Sequence, residues 1–110
     1  MMWKCSVCNF RWEGEAPPDV CPKCGNPKEK YSQMSDEDVA LMHKARITNA
    51  LHIELQDLLP RLIEIADEGI EDNLDAWCVA LFERLKSDAE FALASSRAEL
   101  EGHVNRKKWG

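Results

Sequence analysis

From Ser35 onward apolar residues return every three or four positions, whereas before it they follow no helical period. In "SDEDVALMHKARITNALHIELQDLLPRLIEIADEG", Leu41, Ala45, Thr48, His52, Leu55, Leu59, Leu62 and Ala66 alternate by four and three. Ile47, Leu51, Leu58, Ile63 and Ile65 widen that stripe, which predicts an amphipathic helix over about 36–68. Ser35 is its expected N-cap, the acids at 36–38 suit its positive end, and Gly69 is a natural stop. Pro60 removes one helix hydrogen bond inside the pattern and predicts a kink near 56–60, or two shorter helices.

A second period runs through "DNLDAWCVALFERLKSDAEFALASSRAELEGHVNRKK" and predicts a helix over about 73–106, capped by Asp72 or Asn73. Its apolar positions include Leu74, Trp77, Leu81, Phe82, Leu85 and Leu100, and its small residues between 89 and 98 allow another helix to come close. The basic residues of "HVNRKK" fall in the last turn, where they complement the negative helix end. Two long helices joined by a short connection form an antiparallel hairpin that buries only part of each stripe. The expectation is that two hairpins pair into a four-helix bundle, making the molecule at least a dimer.

Residues 1–34 obey other rules. Four of the five prolines (Pro17, Pro18, Pro22 and Pro27) and four of the five cysteines lie here, so turns and short strands are expected. So short a segment buries too little apolar surface to fold alone; below about 40 residues a metal or disulfides are usually needed. The fold class read from the pattern is α+β, with a small metal-knuckle domain at 1–34 followed by a helical hairpin at 35–110.

Charge sharpens this picture. Residues 1–31 are near neutral, while residues 32–110 carry nine Lys/Arg against sixteen Asp/Glu. An acidic rear speaks against nucleic acid, whose phosphates require a basic face. No apolar run approaches the roughly 18 residues of a membrane span, and no apolar stretch precedes Cys5 as a secretory signal would. The expected location is the cytoplasm, where close cysteine pairs indicate metal or redox chemistry rather than disulfides.

Cys5, Cys8, Cys21 and Cys24 make Cys-x2-Cys-x12-Cys-x2-Cys, a tetrathiolate spacing. Each tight turn lets two sulfurs reach one ion while backbone N–H groups point at them. Gly25 after one knuckle and Asn9 after the other suit a left-handed backbone. Tetrahedral thiolate ligation suits iron and zinc alike.

The segment "WKCSVCNFRWEGEAPPDVCPKCGNPKEKY" resembles the rubredoxin-type domain of rubrerythrins nearly from end to end, over residues 3–31. The resemblance rests on Trp3, Phe10, "WEGEAPP" and "CPKCGNPKEKY". It implies a small antiparallel sheet and one iron per chain bound by Cys5, Cys8, Cys21 and Cys24, passing single electrons to a redox partner protein. It also implies a miniature aromatic core of Trp3, Phe10, Trp12 and Tyr31. Rubrerythrins join this module to a four-helix bundle with Glu-x-x-His iron ligands. Here Ala40, Asn49 and Leu100 stand three residues before His43, His52 and His103, so that di-iron motif is not expected.

His52 falls on the apolar stripe and reads first as a hydrogen-bonded core residue, with an unusual metal site shared with Glu54, Glu64 or Glu68 as the sharper reading. Cys78 reads as a small hydrophobe. No nucleophile set, phosphate loop or carboxylate pair in a recognisable context appears, so the chain reads as an electron carrier rather than a catalyst. The alternative is a zinc-ribbon adaptor with a purely structural Zn(Cys)4 site.

Overall fold

The computed structural model describes residues 1–110. Three short strands come first: β1 (Met2–Cys5), β2 (Arg11–Glu13) and β3 (Tyr31–Gln33). They form an antiparallel sheet in the order β2-β1-β3. Two long helices follow, α1 (Asp36–Asp72) and α2 (Ala76–Asn105). The small sheet followed by a two-helix hairpin is the predicted architecture. Residues 1–44 with Gly110, and residues 45–109, form two compact units. Neither helix is long and apolar enough to cross a membrane.

Helix α1 begins where expected, with the Asp38 N–H donating to Ser35 Oγ at 3.1 Å. Of the two outcomes expected at Pro60, two shorter helices do not occur: α1 continues through it, with Pro60 on the exposed side, where the carbonyl freed by its missing N–H can meet water. It also runs past Gly69, because Asn73 takes the left-handed conformation at φ 50° and ends the helix instead. With Asn73 used as the stop, the cap of α2 moves to Asp75, whose carboxylate accepts from the Cys78 N–H at 2.7 Å.

The basic residues at 106–108 lie just beyond α2, leaving His103 as the basic residue of its last turn. Lys107 is left-handed at φ 61°, and the Lys108 N–H returns to the His103 carbonyl at 2.8 Å. This back-bonded turn satisfies carbonyls that the helix end leaves open.

The face of α1 turned toward α2 is not the most apolar one. Ala45, Asn49, His52, Gln56, Leu59, Ile63 and Ala66 are its covered positions, while Thr48, Leu55 and Leu62 of the expected stripe are exposed. Polar pairing across the hairpin explains the choice. His103 Nδ1 donates to Asn49 Oδ1 at 2.5 Å, and Asn49 Nδ2 donates to the Lys108 carbonyl at 2.7 Å. Ser96 Oγ accepts from Gln56 Nε2 at 3.1 Å and shares a 2.7 Å bond with His52 Nδ1. Asn49 and Ser96 are buried, so these bonds satisfy groups that would otherwise lose water without replacement. Ala89 and Ser96, both small, permit the close approach on the α2 side.

Gly69 has a packing role in place of the expected stop. A Cβ there would lie 2.2 Å from Cδ2 of the Phe82 ring. Gly69→Ala should therefore lower stability by about 1–3 kcal/mol through overpacking, although alanine is the better helix former by about 1 kcal/mol. Urea unfolding of the two proteins checks the sign; a stabilised variant would place Phe82 elsewhere.

Candidate metal centre

Two tight turns with matching hydrogen bonds carry the cysteines. In the first, the Asn9 N–H returns to the Cys5 carbonyl at 2.9 Å and the Cys5 N–H donates to the Phe10 carbonyl at 2.8 Å. In the second, Gly25 and Cys21 repeat the pattern at 2.9 Å, and Cys21 and Asn26 repeat it at 2.8 Å. Asn9 at φ 66° and Gly25 at φ 76° supply the left-handed residue each turn requires. The two knuckles are thus geometrically equivalent, as their sequences lead one to expect.

The sheet register brings the turns together. Cys5 ends β1 opposite Tyr31 of β3, and the Ser6 N–H donates to the Lys30 carbonyl at 2.9 Å. A bridge between Val20 and Pro27 closes the base of the second knuckle. All four sulfurs consequently lie within 4.8 Å of one another. Four ligands at about 2.3 Å from one ion set tetrahedral sulfur–sulfur edges of about 3.8 Å. The Cys5–Cys24 and Cys8–Cys21 separations are 3.7 and 3.6 Å, so the residues present fit a tetrathiolate metal ion.

The inner ligand of each pair is buried and the outer one half-buried. Cys5 and Cys21 form the core of this region with Tyr31, and Trp3, Phe10, Cys8 and Cys24 pack against it. The aromatic core expected from the resemblance is present in three of its four members. Trp12 stays 38% exposed, because it pairs with Trp3 on the edge strand β2 and borders Gly14 rather than the sulfurs. Trp3 Nε1 donates to the Gly14 carbonyl at 3.0 Å, fixing its ring.

Electrostatics divide the sulfurs. Burial among the other three thiols pushes the Cys8 thiol up to about 12, against the opposing effect of the Phe10 N–H. Burial raises the Cys21 thiol too, but the Tyr31 hydroxyl and the N–H groups of Cys24 and Lys23 outweigh it and bring it down to about 6. The side-chain amide of Asn26, donating at 3.3 Å, and the Asn26 N–H lower the Cys24 thiol. Asn26 and the Tyr31 hydroxyl are functional groups that the sequence reading did not single out. The signal for Asn26 was present: an amide two residues after the last ligand of a knuckle.

The other candidates are placed apart from this chemistry. His52 binds Ser96, Glu64 pairs with Arg61 at 3.2 Å, and the histidines join no cluster of three or more potential ligands. His52 and His103 meet edge to face, with centroids 6.0 Å apart. Cys78 is half-buried, and the Asp75 carboxylate holds its thiol above the ordinary value, against nucleophilic use.

Two outcomes follow. Changing any of Cys5, Cys8, Cys21 or Cys24 to Ser should cut bound metal, while Cys78→Ser leaves it unchanged, as elemental analysis of the purified variants will show. Metal uptake near pH 7.5 should release at least one proton per ion, because Cys8 is then still protonated. Affinity should fall with acidification and fall more steeply below about pH 6, where Cys21 also takes up a proton. Cobalt titrations in weak buffer with a pH indicator measure both effects.

Comparison with known proteins agrees with this geometry. Residues 3–32 match the family model described as the rubredoxin-like domain of rubrerythrin. Reverse rubrerythrin-1 of Clostridium acetobutylicum is 29% identical over 76 residues, covering 69% of this chain and 37% of that protein. The chain therefore spans little more than a third of this relative's length. No solved structure matches it significantly. Residues 3–32, with their paired knuckles and four converging sulfurs, are thus similar in sequence and in ligand arrangement to the rubredoxin-like domain of rubrerythrin.

Proposed function

We propose that the chain is an electron-transfer protein whose Cys5, Cys8, Cys21 and Cys24 hold one iron ion. Iron in such a site supplies a one-electron ferric–ferrous couple. The observation that carries the reading is the combination of a rubrerythrin-type tetrathiolate with half-buried outer ligands, Cys8 and Cys24. Half-buried outer ligands bring the couple near the surface, where a redox partner protein can reach it without a relay of side chains. The N–H groups of Phe10, Lys23, Cys24 and Asn26, together with the Asn26 amide, favour negative charge on the sulfurs. They hold the ligands through a change of metal charge with little rearrangement.

The deciding experiment is a visible spectrum of protein purified without air, before and after dithionite, with metal content on the same sample. A red protein with about one iron per chain that bleaches reversibly is expected. A colourless protein with stoichiometric zinc after iron-rich growth would instead make the site a structural clasp in an adaptor.

The hairpin in this reading pairs with a second copy. Ile47, Leu51, Leu55, Leu58 and Leu62 recur at intervals of four and three along α1 and are all exposed. Ile47 is 75% exposed, Leu51 59%, Leu58 57%, and Trp77 on α2 87%. The sixteen helical residues from Ile47 to Leu62 span about 24 Å, and so long an apolar strip exceeds what monomers normally leave in water. A matching strip on a second hairpin has the right length and chemistry to cover it by heptad-like packing. Sedimentation should give about twice the 12.6 kDa chain mass, and Leu51→Lys with Leu58→Lys should give monomers that keep their metal. Wild-type monomers at micromolar concentration would refute the pairing.

A further inference from the structure

Tyr31 is 8% exposed, and its hydroxyl is shielded from water without a completed hydrogen bond. Its ring is locked at the start of β3, opposite Cys5 and packed in the cluster of Cys5 and Cys21. The polar groups acting on it are sulfurs, with Cys21 foremost. A neutral thiol is a weak acceptor. A thiolate is a charge-assisted acceptor, shorter and stronger in its bonds to O–H donors.

We propose that the Tyr31 hydroxyl donates a hydrogen bond to the Cys21 sulfur once that sulfur is a metal-bound thiolate, making Tyr31 a positioning residue that tunes the ligand. Asn26 already donates to Cys24. Both sulfurs of the second knuckle then carry a side-chain donor, while Cys8 of the first receives the Phe10 backbone N–H. The centre is electronically lopsided despite its matched backbone turns. A donor at sulfur withdraws electron density, so it favours the more negative, reduced state of a redox metal. The inference rests on the tetrathiolate reading but not on which metal is native.

The test compares wild type with Tyr31→Phe, which keeps the ring and removes only the hydroxyl, both loaded with cobalt(II). Loss of the bond should move the sulfur-to-cobalt charge-transfer band to lower energy while the tetrahedral ligand-field bands persist. With iron loaded, the ferrous-to-ferric ratio at a fixed ambient potential should fall about tenfold, equivalent to about 59 mV for one electron. In wild-type protein loaded with cadmium-113, the hydroxyl proton should show coupling to the metal through the hydrogen bond. Unmoved cobalt bands, or no such coupling, would overturn the assignment. If Tyr31→Phe cannot hold metal, the cadmium measurement decides alone. Failure of wild type to show any tetrathiolate spectrum would refute the metal site itself, an outcome separate from failure of the Tyr31 bond.

Discussion

Four cysteine sulfurs converging within 4.8 Å constrain everything in the first 34 residues. Burial strips water from an ionised sulfur, which is why the Cys8 thiol is driven so far up, while thiols that stay protonated leave only weak donors in the cluster. A divalent or trivalent cation removes both costs at once. The three strands are only three or four residues long, and the buried cluster consists of two of the ligands and one tyrosine. The metal ligands are thus not inserted into a core; they are the core.

The backbone amides serve two purposes for the same reason. Each knuckle bends so that the chain's own carbonyls and N–H groups close the turn, and the remaining N–H groups are left pointing at sulfur. Rigidity of the turn and stabilisation of negative ligands therefore come from one geometry. A site built this way can exchange charge without moving, which suits an electron carrier and equally suits a structural ion. The fold thereby admits both uses, and the bound metal separates them.

The hairpin follows a different logic, with polar contacts deciding which faces meet. Asn49, His52 and Gln56 turn inward because Ser96, His103 and the Lys108 carbonyl can satisfy them. This leaves branched aliphatic residues outside, an arrangement that is costly for an isolated hairpin and consistent with a larger helical assembly. A buried polar layer of this kind also limits register, since sliding one helix by a turn would orphan several groups together.

Local residue order was enough to determine the knuckles and the existence of two long helices. Close ligand spacing, a glycine or asparagine after each pair, and sustained three- and four-residue periodicity act over short stretches of chain, so no distant contact was needed to read them. The helix ends and the buried face were another matter. Gly69 looked like a terminator until Phe82 occupied the space a Cβ would fill and Asn73 took the turn. Thr48 and Leu55 fitted the apolar stripe better than Asn49 and Gln56, yet only the latter find partners across the hairpin. Likewise Tyr31 reads as one more aromatic until the register of β3 against β1 sets its hydroxyl among the sulfurs. Those outcomes depend on groups far apart in sequence competing for the same space and hydrogen bonds, and tertiary packing alone decides that competition.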